Sequence, residues 1–248
     1  MLSVRAVDGL PEIEAGFDLG GAIVQRLGEP LADGDVIVVA HKAISKIEGR
    51  VRQLRDVVPS AEAARLATEQ GKEARHVHVV LDEARAVIRA AHGVIITETD
   101  HGFICANAGV DASNVPGEEA LVLLPIDPDE SARRLRARLR ELTGATLGVV
   151  VTDSFGRAWR TGQCDVAIGV AGLSALEDWR GGRDAQGREL RATVIAVADE
   201  LAAAADLARR KDSQQPAVLV RGAGRHVTPE DGPGVAPLIR APEHDLFR

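Results

Sequence analysis

Asp153 and Ser154 stand where the chain turns abruptly from apolar to polar. The run Val149, Val150, Val151 ends in Thr152, Asp153 and Ser154, then Phe155, Arg157, Trp159, Arg160 and Gln163 precede a second apolar run over 166–170. Aspartate and serine oxygens suit a hard divalent cation such as Mg²⁺ or Mn²⁺. A forked guanidinium suits a carboxylate or phosphate, which makes Arg157 and Arg160 candidates for an anionic substrate group. A second polar loop, NAGVDASN, offers the carboxylate of Asp111. A third polar stretch leaves the apolar segment 36–40 and carries Lys42, Ser45, Lys46, Glu48 and Arg50. Ligands in α/β sheets gather at such strand ends, so this stretch reads as a phosphate-handling edge. Taken singly, each loop reads equally well as an Asp-capped turn or a solvated basic turn. Taken together, two separated acids with Lys and Arg nearby match phosphoryl transfer, whose transition state is stabilised mainly by charge and positioning. A carboxylate activated in that way as an acyl phosphate can be trapped by an amine.

The elements that must position these residues are written in the hydrophobic pattern. Strands are expected over 36–40, 94–99, 103–106, 149–151 and 217–220, and helices over 19–27 and 60–70. The second of those helices has Ser60 as N-cap and Gly71 as C-cap. Another helix is expected from about 78 to 91, closed by Gly93. Asp127, Pro128 and Glu130 write a helix start, and Leu135, Leu139, Leu142 and Gly144 its face and stop. Residues 152–163 read as an elbow and loop, 177–189 as a flexible glycine-bearing connection able to act as a mobile cover, and 193–211 as a long helix. His76 and His78 read as structural, because alternate residues share a face only on a strand. The tail beyond Pro216 reads as irregular. Neither GxxxxGK[ST] nor a strand leading into GxGxxG is present, and Gly222-Ala223-Gly224 lacks the rest of that pattern. The fold class is therefore α/β of a type that is neither P-loop nor Rossmann.

Composition narrows the partners. The chain of 248 residues has 30 Lys plus Arg against 37 Asp plus Glu, a formal net charge of -7. That disfavours nucleic acid and anionic membranes, which select a basic face. No apolar run approaches the roughly 20 residues that cross a bilayer, and the acidic first residues do not resemble a signal peptide, so a cytoplasmic protein is expected. Cys105 and Cys164, the two cysteines, fit no CxxC pattern and are expected to be reduced. There is no Tyr, and three of the six aromatic residues, Phe103, Phe155 and Trp159, fall in the candidate loops. Rings there serve either to stack on something planar or to plug the loops against the core.

Four ordered segments, HGFICANAGVDASN, VVVTDSFGRAWRTGQCDVAIGVAGL, ATVIAVADELAAAADL and PAVLVRG, with SKIEGR upstream, closely resemble the coenzyme F-420:γ-glutamyl ligase family. The resemblance implies an enzyme that uses GTP and Mg²⁺ or Mn²⁺, as two divalent ions, to join L-glutamate to the deazaflavin coenzyme F-420-0 and then to add γ-linked glutamates. K⁺ is a further candidate ion. It also implies a two-lobed mixed α/β fold, residues 1–248 forming one unit of intertwined lobes, that pairs as a homodimer. Carried over by position, Asp111 and Asp153 ligate one metal, and Ser154, where the family usually has Thr, a second. Leu10, Pro11, Glu12, Ile13, Lys46 and Asn114 contact GTP, as does His41, which stands where a small hydroxyl residue is common. The segment 208–215, with Lys211, aligns with a phosphate-side loop that usually contains glycine and here has none. A C-terminal nitroreductase-like domain, present in some members, is not expected. The rival readings are a non-catalytic deazaflavin- or nucleotide-binding relative and an amide ligase for another carboxylate acceptor.

Overall fold

Val36 to Val39 and Val149 to Val151 are fully buried. Successive residues of a strand point to opposite faces, so these two strands are covered on both. They lie side by side in a computed structural model, which describes residues 1–113, 119–210 and 212–246. In chain order the elements are β1 (Ser3–Ala6), α1 (Leu19–Arg26), β2 (Val36–Ala40), α2 (His41–Ile47), β3 (Val51–Gln53), α3 (Ala61–Gln70), α4 (Ala74–Asp82), β4 (Ala84–Ala91), β5 (Val94–Thr99), β6 (Ile104–Ala106) and β7 (Ala120–Val122). There follow α5 (Pro128–Thr143), β8 (Gly148–Arg157), β9 (Arg160–Ala171), β10 (Glu177–Asp178), β11 (Val194–Ile195), α6 (Val197–Ala208) and β12 (Ala217–Arg221).

The main sheet has the order β1-β12-β2-β8-β9. Its β2–β8 pair is parallel, with Ala40 opposite Thr152, so both strands deliver their C-terminal ends to one edge. Helices α5 and α6 pack on this sheet, and together they enclose the larger apolar core. A smaller core gathers Leu66, Val77, Val80, Ile95, Val110 and Leu121 from α3, α4, β5, the 110 loop and β7. The architecture is thus mixed α/β with two cores. Among the described residues no helix is long and apolar enough to cross a membrane.

Helix capping follows the local chemistry. Ser60 Oγ accepts from the Ala63 N–H at 3.1 Å and Asp127 Oδ1 from the Glu130 N–H at 2.9 Å, which satisfies donors that have no partner inside the helix. Gly71 and Gly144 end their helices with φ of 64° and 71°, where a side chain would be strained.

The expected helix over 78–91 is not formed. Helix α4 stops at Asp82, and Ala84–Ala91 is a strand paired antiparallel with β5, Ala91 opposite Val94. His92 and Gly93, with φ of 52° and 77°, make the two-residue hairpin turn that a right-handed sheet twist selects. A helix stop and such a turn both use a positive-φ glycine, and only pairing with β5 distinguishes them. The expected elbow at 152–154 and its loop are also replaced. Strand β8 continues to Arg157 and β9 starts at Arg160, because backbone pairing carries the hairpin past its apolar part. The polar exit of β2 is helical, as α2. The helix expected over 193–211 starts later, at Val197, since Val194–Ile195 pairs with β10. Residues 177–189 hold turns closed by bonds such as Asp184 N to Arg188 O at 2.8 Å.

Candidate active site

The parallel pair β2–β8 puts the start of α2 beside the polar part of β8. His41, the first residue of α2, is buried, and its Nε2 lies 3.3 Å from Asp153 Oδ1. Its Nδ1 is 3.3 Å from Ser45 Oγ one helical turn on. The next residue, Lys42, reaches the other acid, with Nζ 2.6 Å from Asp111 Oδ2 and 2.5 Å from Ser113 Oγ. Consecutive side chains of one helix therefore meet Asp153 and Asp111, residues far apart in sequence, Lys42 by a hydrogen-bonded ion pair and His41 by proximity alone, its Nε2 making no hydrogen bond. Asp111 is further fixed through its backbone, which exchanges hydrogen bonds of 3.0 and 2.8 Å with Val122. The Ser113 N–H donates to Asp111 Oδ1 at 2.7 Å. Burial raises the pKa of the Asp111 carboxyl, but the bonds from Lys42 and Ser113 outweigh it and hold the group below its ordinary value. Cys105 on β6 lies near Asp153, and burial together with that negative charge pushes its thiol up to about 12. It stays protonated at neutral pH, so it is no nucleophile.

Ser154 follows Asp153 directly, and its N–H donates to Asp153 Oδ1 at 2.8 Å. Its hydroxyl donates to Asp165 Oδ1, opposite on β9, at 2.6 Å. Asp165 is buried and also accepts from Thr152 Oγ1 at 2.8 Å and from Arg209. Sequence reasoning missed Asp165 and Arg209. An acid at the head of an apolar run was the available signal, but it became readable only once Ser154 and Asp165 paired across the hairpin.

Lys46 and the 10–13 segment come together, with Lys46 Nζ 2.6 Å from Glu12 Oε1. Leu10 and Ile13 are plugs in the main core, whereas Pro11 and Glu12 are exposed. Arg157, Trp159 and Arg160 are exposed at the tip of the β8–β9 hairpin. Four residues of extended strand separate Arg157 from Asp153, about 13 Å. The Arg157 guanidinium donates to Thr161 O at 2.9 Å. The tip is thus held apart from Asp153. Phe103 stacks on His101 at 5.4 Å between ring centres and meets Phe155 edge-on at 6.2 Å, so these two rings pack with protein partners. His76 and His78 lie on α4. Asn114 and Lys211 lie outside the described residues.

Among the described residues no three His, Cys, Asp or Glu side chains assemble into a metal cage. Oxygen donors from Asp153, Ser154 and Asp111 nonetheless fit Mg²⁺ or Mn²⁺, since Mg²⁺ commonly takes one or two carboxylates and completes its shell with water and substrate phosphates. A groove of about 680 Å³ between α1, α2 and α5 is lined by Glu48 but by none of Asp111, Asp153, Ser154, His41 or Lys46. Its charged groups are already paired, Arg134 with Glu48 and Arg138 with Asp18. His41, Lys42, Asp153 and Ser154 stand instead at the β2–β8 edge.

Fold and site together define a mixed α/β protein with a hard-cation, phosphate-compatible edge at parallel strand ends. Residues 9–222 match the F420-0:gamma-glutamyl ligase family. Over 251 aligned residues the chain is 45% identical to the coenzyme F420:L-glutamate ligase of Methanothermobacter thermautotrophicus, spanning 100% of this chain and 99% of that one. It is 46% identical to the coenzyme F420:L-glutamate ligase of Methanocaldococcus jannaschii over 88% of this chain and 86% of that protein. The protein of the same name from Archaeoglobus fulgidus is 43% identical over 100% and 96%. This chain belongs to the F420-0:gamma-glutamyl ligase family.

Proposed function

We propose that the protein is a GTP-dependent ligase that joins L-glutamate to coenzyme F-420-0 and then adds γ-linked glutamates. The observation that carries this reading is the meeting of Asp153 and Asp111 through His41 and Lys42, with the Ser154 hydroxyl beside Asp153 and Lys46 on the same helix. Lys42 and Lys46 supply positive charge for nucleotide phosphates, and Asp153, Ser154 and Asp111 would hold Mg²⁺ or Mn²⁺. When bound, a divalent cation offsets charge on the phosphate oxygens.

Hydroxide is too poor a leaving group for an amine to displace it from a free carboxylate. The acceptor carboxylate therefore attacks the γ-phosphorus of GTP, the bond to the β-bridging oxygen breaks, and GDP leaves. The neutral amine of glutamate adds to the acyl phosphate, loses a proton, and expels inorganic phosphate as the amide forms. His41 is buried against the Asp153 carboxylate, and the buried, protonated Cys105 brings no competing charge. The exposed apolar residues Val87, Ile88, Val94 and Ile104 of the β4–β5–β6 sheet, whose β4 edge is unpaired within the described chain, support pairing of two copies as a homodimer.

Incubation with GTP, Mg²⁺, L-glutamate and coenzyme F-420-0, followed by mass spectrometry, should show glutamyl units added to the deazaflavin and GDP released. No glutamylated product from folded protein would leave the non-catalytic relative. Product from another carboxylate only would leave the amide ligase of different acceptor. Oxygen-18 placed in the acceptor carboxylate should appear in the released phosphate; label retained wholly in the product would exclude the acyl phosphate.

A further inference from the structure

Asp165 takes no part in the ligase reading as stated, yet it is the most heavily bonded acid near Asp153. It is 3% exposed and sits directly across the hairpin from Ser154. Three donors converge on it. Thr152 Oγ1 lies at 2.8 Å, Ser154 Oγ at 2.6 Å, and the buried Arg209 guanidinium closes an ion pair. As the carboxylate partner of an arginine, Asp165 can only accept, so each hydroxyl must turn its hydrogen toward it. The Ser154 hydrogen is thereby directed at β9, and whatever else meets its oxygen meets lone pairs. Arg209 extends the arrangement. Its Nη1 also donates to Pro216 O at 3.3 Å, and the Ala40 N–H donates to the same oxygen at 2.8 Å. Residue 209, inside the 208–215 segment, is thus tied to residue 216 just after it, and residue 216 to Ala40, the residue before His41.

We propose that Asp165 is a positioning residue that, through its pairing with Arg209, fixes Ser154 as an oxygen donor toward a divalent cation of the ligase site. The inference rests on the metal reading above. In a serine that is free to rotate, the hydroxyl hydrogen can face the cation, and each time it does the ligand is lost. A charged acceptor behind the hydroxyl removes that freedom, which is how groups behind a metal ligand commonly tune affinity.

The test uses the whole protein and binding of Mn²⁺ in the presence of GDP, followed by electron paramagnetic resonance. Asp165→Asn, whose amide can turn a hydrogen toward Ser154, should weaken Mn²⁺ binding about 10- to 100-fold. Ser154→Ala should weaken it similarly, and the double variant should be no weaker than Ser154→Ala alone, since both changes remove one ligand. A purely structural role for Asp165 would lower the melting temperature and leave Mn²⁺ affinity in the folded protein unchanged. Wild-type affinity in folded Asp165→Asn, with binding lost in Asp153→Asn, overturns the inference and leaves the metal reading standing. Multiplying effects of Asp165→Asn and Ser154→Ala overturn it as well. Equal binding by wild type and Asp153→Asn would sink the metal reading itself, and the inference with it. Should Asp165→Asn not fold, Asp165→Asn/Arg209→Gln removes both charges of the pair, and the same weakening is expected.

Discussion

Arg136 is the largest fully buried side chain and the clamp that holds the irregular tail to the sheet carrying the candidate site. From α5 its Nε donates to Leu147 O at 2.8 Å, just ahead of β8. Its Nη2 donates to Thr228 O and Pro229 O at 2.7 and 3.0 Å, and its Nη1 pairs with Asp231 at 2.6 Å. Arg136→Met keeps the stem and removes every donor. Three carbonyls then lose a charged partner, at about 1–3 kcal/mol each where no water replaces it. The half-exposed Asp231 adds under about 1 kcal/mol. Relief from burying a guanidinium offsets part of this, because a buried ion carries its own desolvation penalty. A net loss of about 3 kcal/mol is expected, equivalent to a melting temperature lower by about 6–12 °C in a chain of this size. Urea denaturation measures the loss, and limited proteolysis should locate new cleavage near 227–235. Gly172→Ala should act in the same direction, because Gly172 has φ +67° and a Cβ there would run into the Arg136 guanidinium. A loss below about 1 kcal/mol for Arg136→Met, with the tail still resistant to protease, would refute the clamp.

Lys42→Met removes the ion pair that holds the Asp111 carboxyl low and leaves burial, so the Asp111 titration in a carbon-13 NMR series should move upward; no movement would count against the pairing. Because the wild-type pKa is lowered, the pair contributes stability above the unfolded value of about 3.9 and loses it as pH falls through the folded value. The variant should therefore be less stable by under about 1 kcal/mol at neutral pH, the Asp111 side chain being 43% exposed, with the gap closing in acid. Cys105, its thiol at about 12, should resist iodoacetamide at pH 8 in the native protein while half-buried Cys164 reacts first, and equal rates by mass spectrometry would contradict this. Arg157→Lys and Arg160→Lys keep charge and lose the fork, so at least one should raise the Michaelis constant for glutamate or the deazaflavin acceptor. Unchanged constants in both variants would remove the hairpin tip from substrate binding.

Much of this was legible in the sequence because the signals were local. Val36–Ala40 and Val149–Val151 announced themselves as buried strands by unbroken β-branched runs, and Ser60, Gly71, Asp127 and Gly144 marked helix ends through capping chemistry that needs only neighbouring residues. Asp153, Ser154 and Asp111 stood out by residue type at the ends of apolar runs, and the four ordered segments indicated the family. Tertiary structure decided whatever depends on partners distant in the chain. Residues 84–91 became a strand because β5 lay available to pair, against a composition equally suited to helix. Residues 152–157 became the second half of a long strand because β9 satisfied their backbone. His41 and Lys42 acquired their roles when the parallel β2–β8 register set them against Asp153 and brought Asp111 within reach. Asp165 was the least visible of all in the sequence, since a buried acid is tolerable only beside its donors, and those come from residues 152, 154 and 209, which only the folded chain assembles.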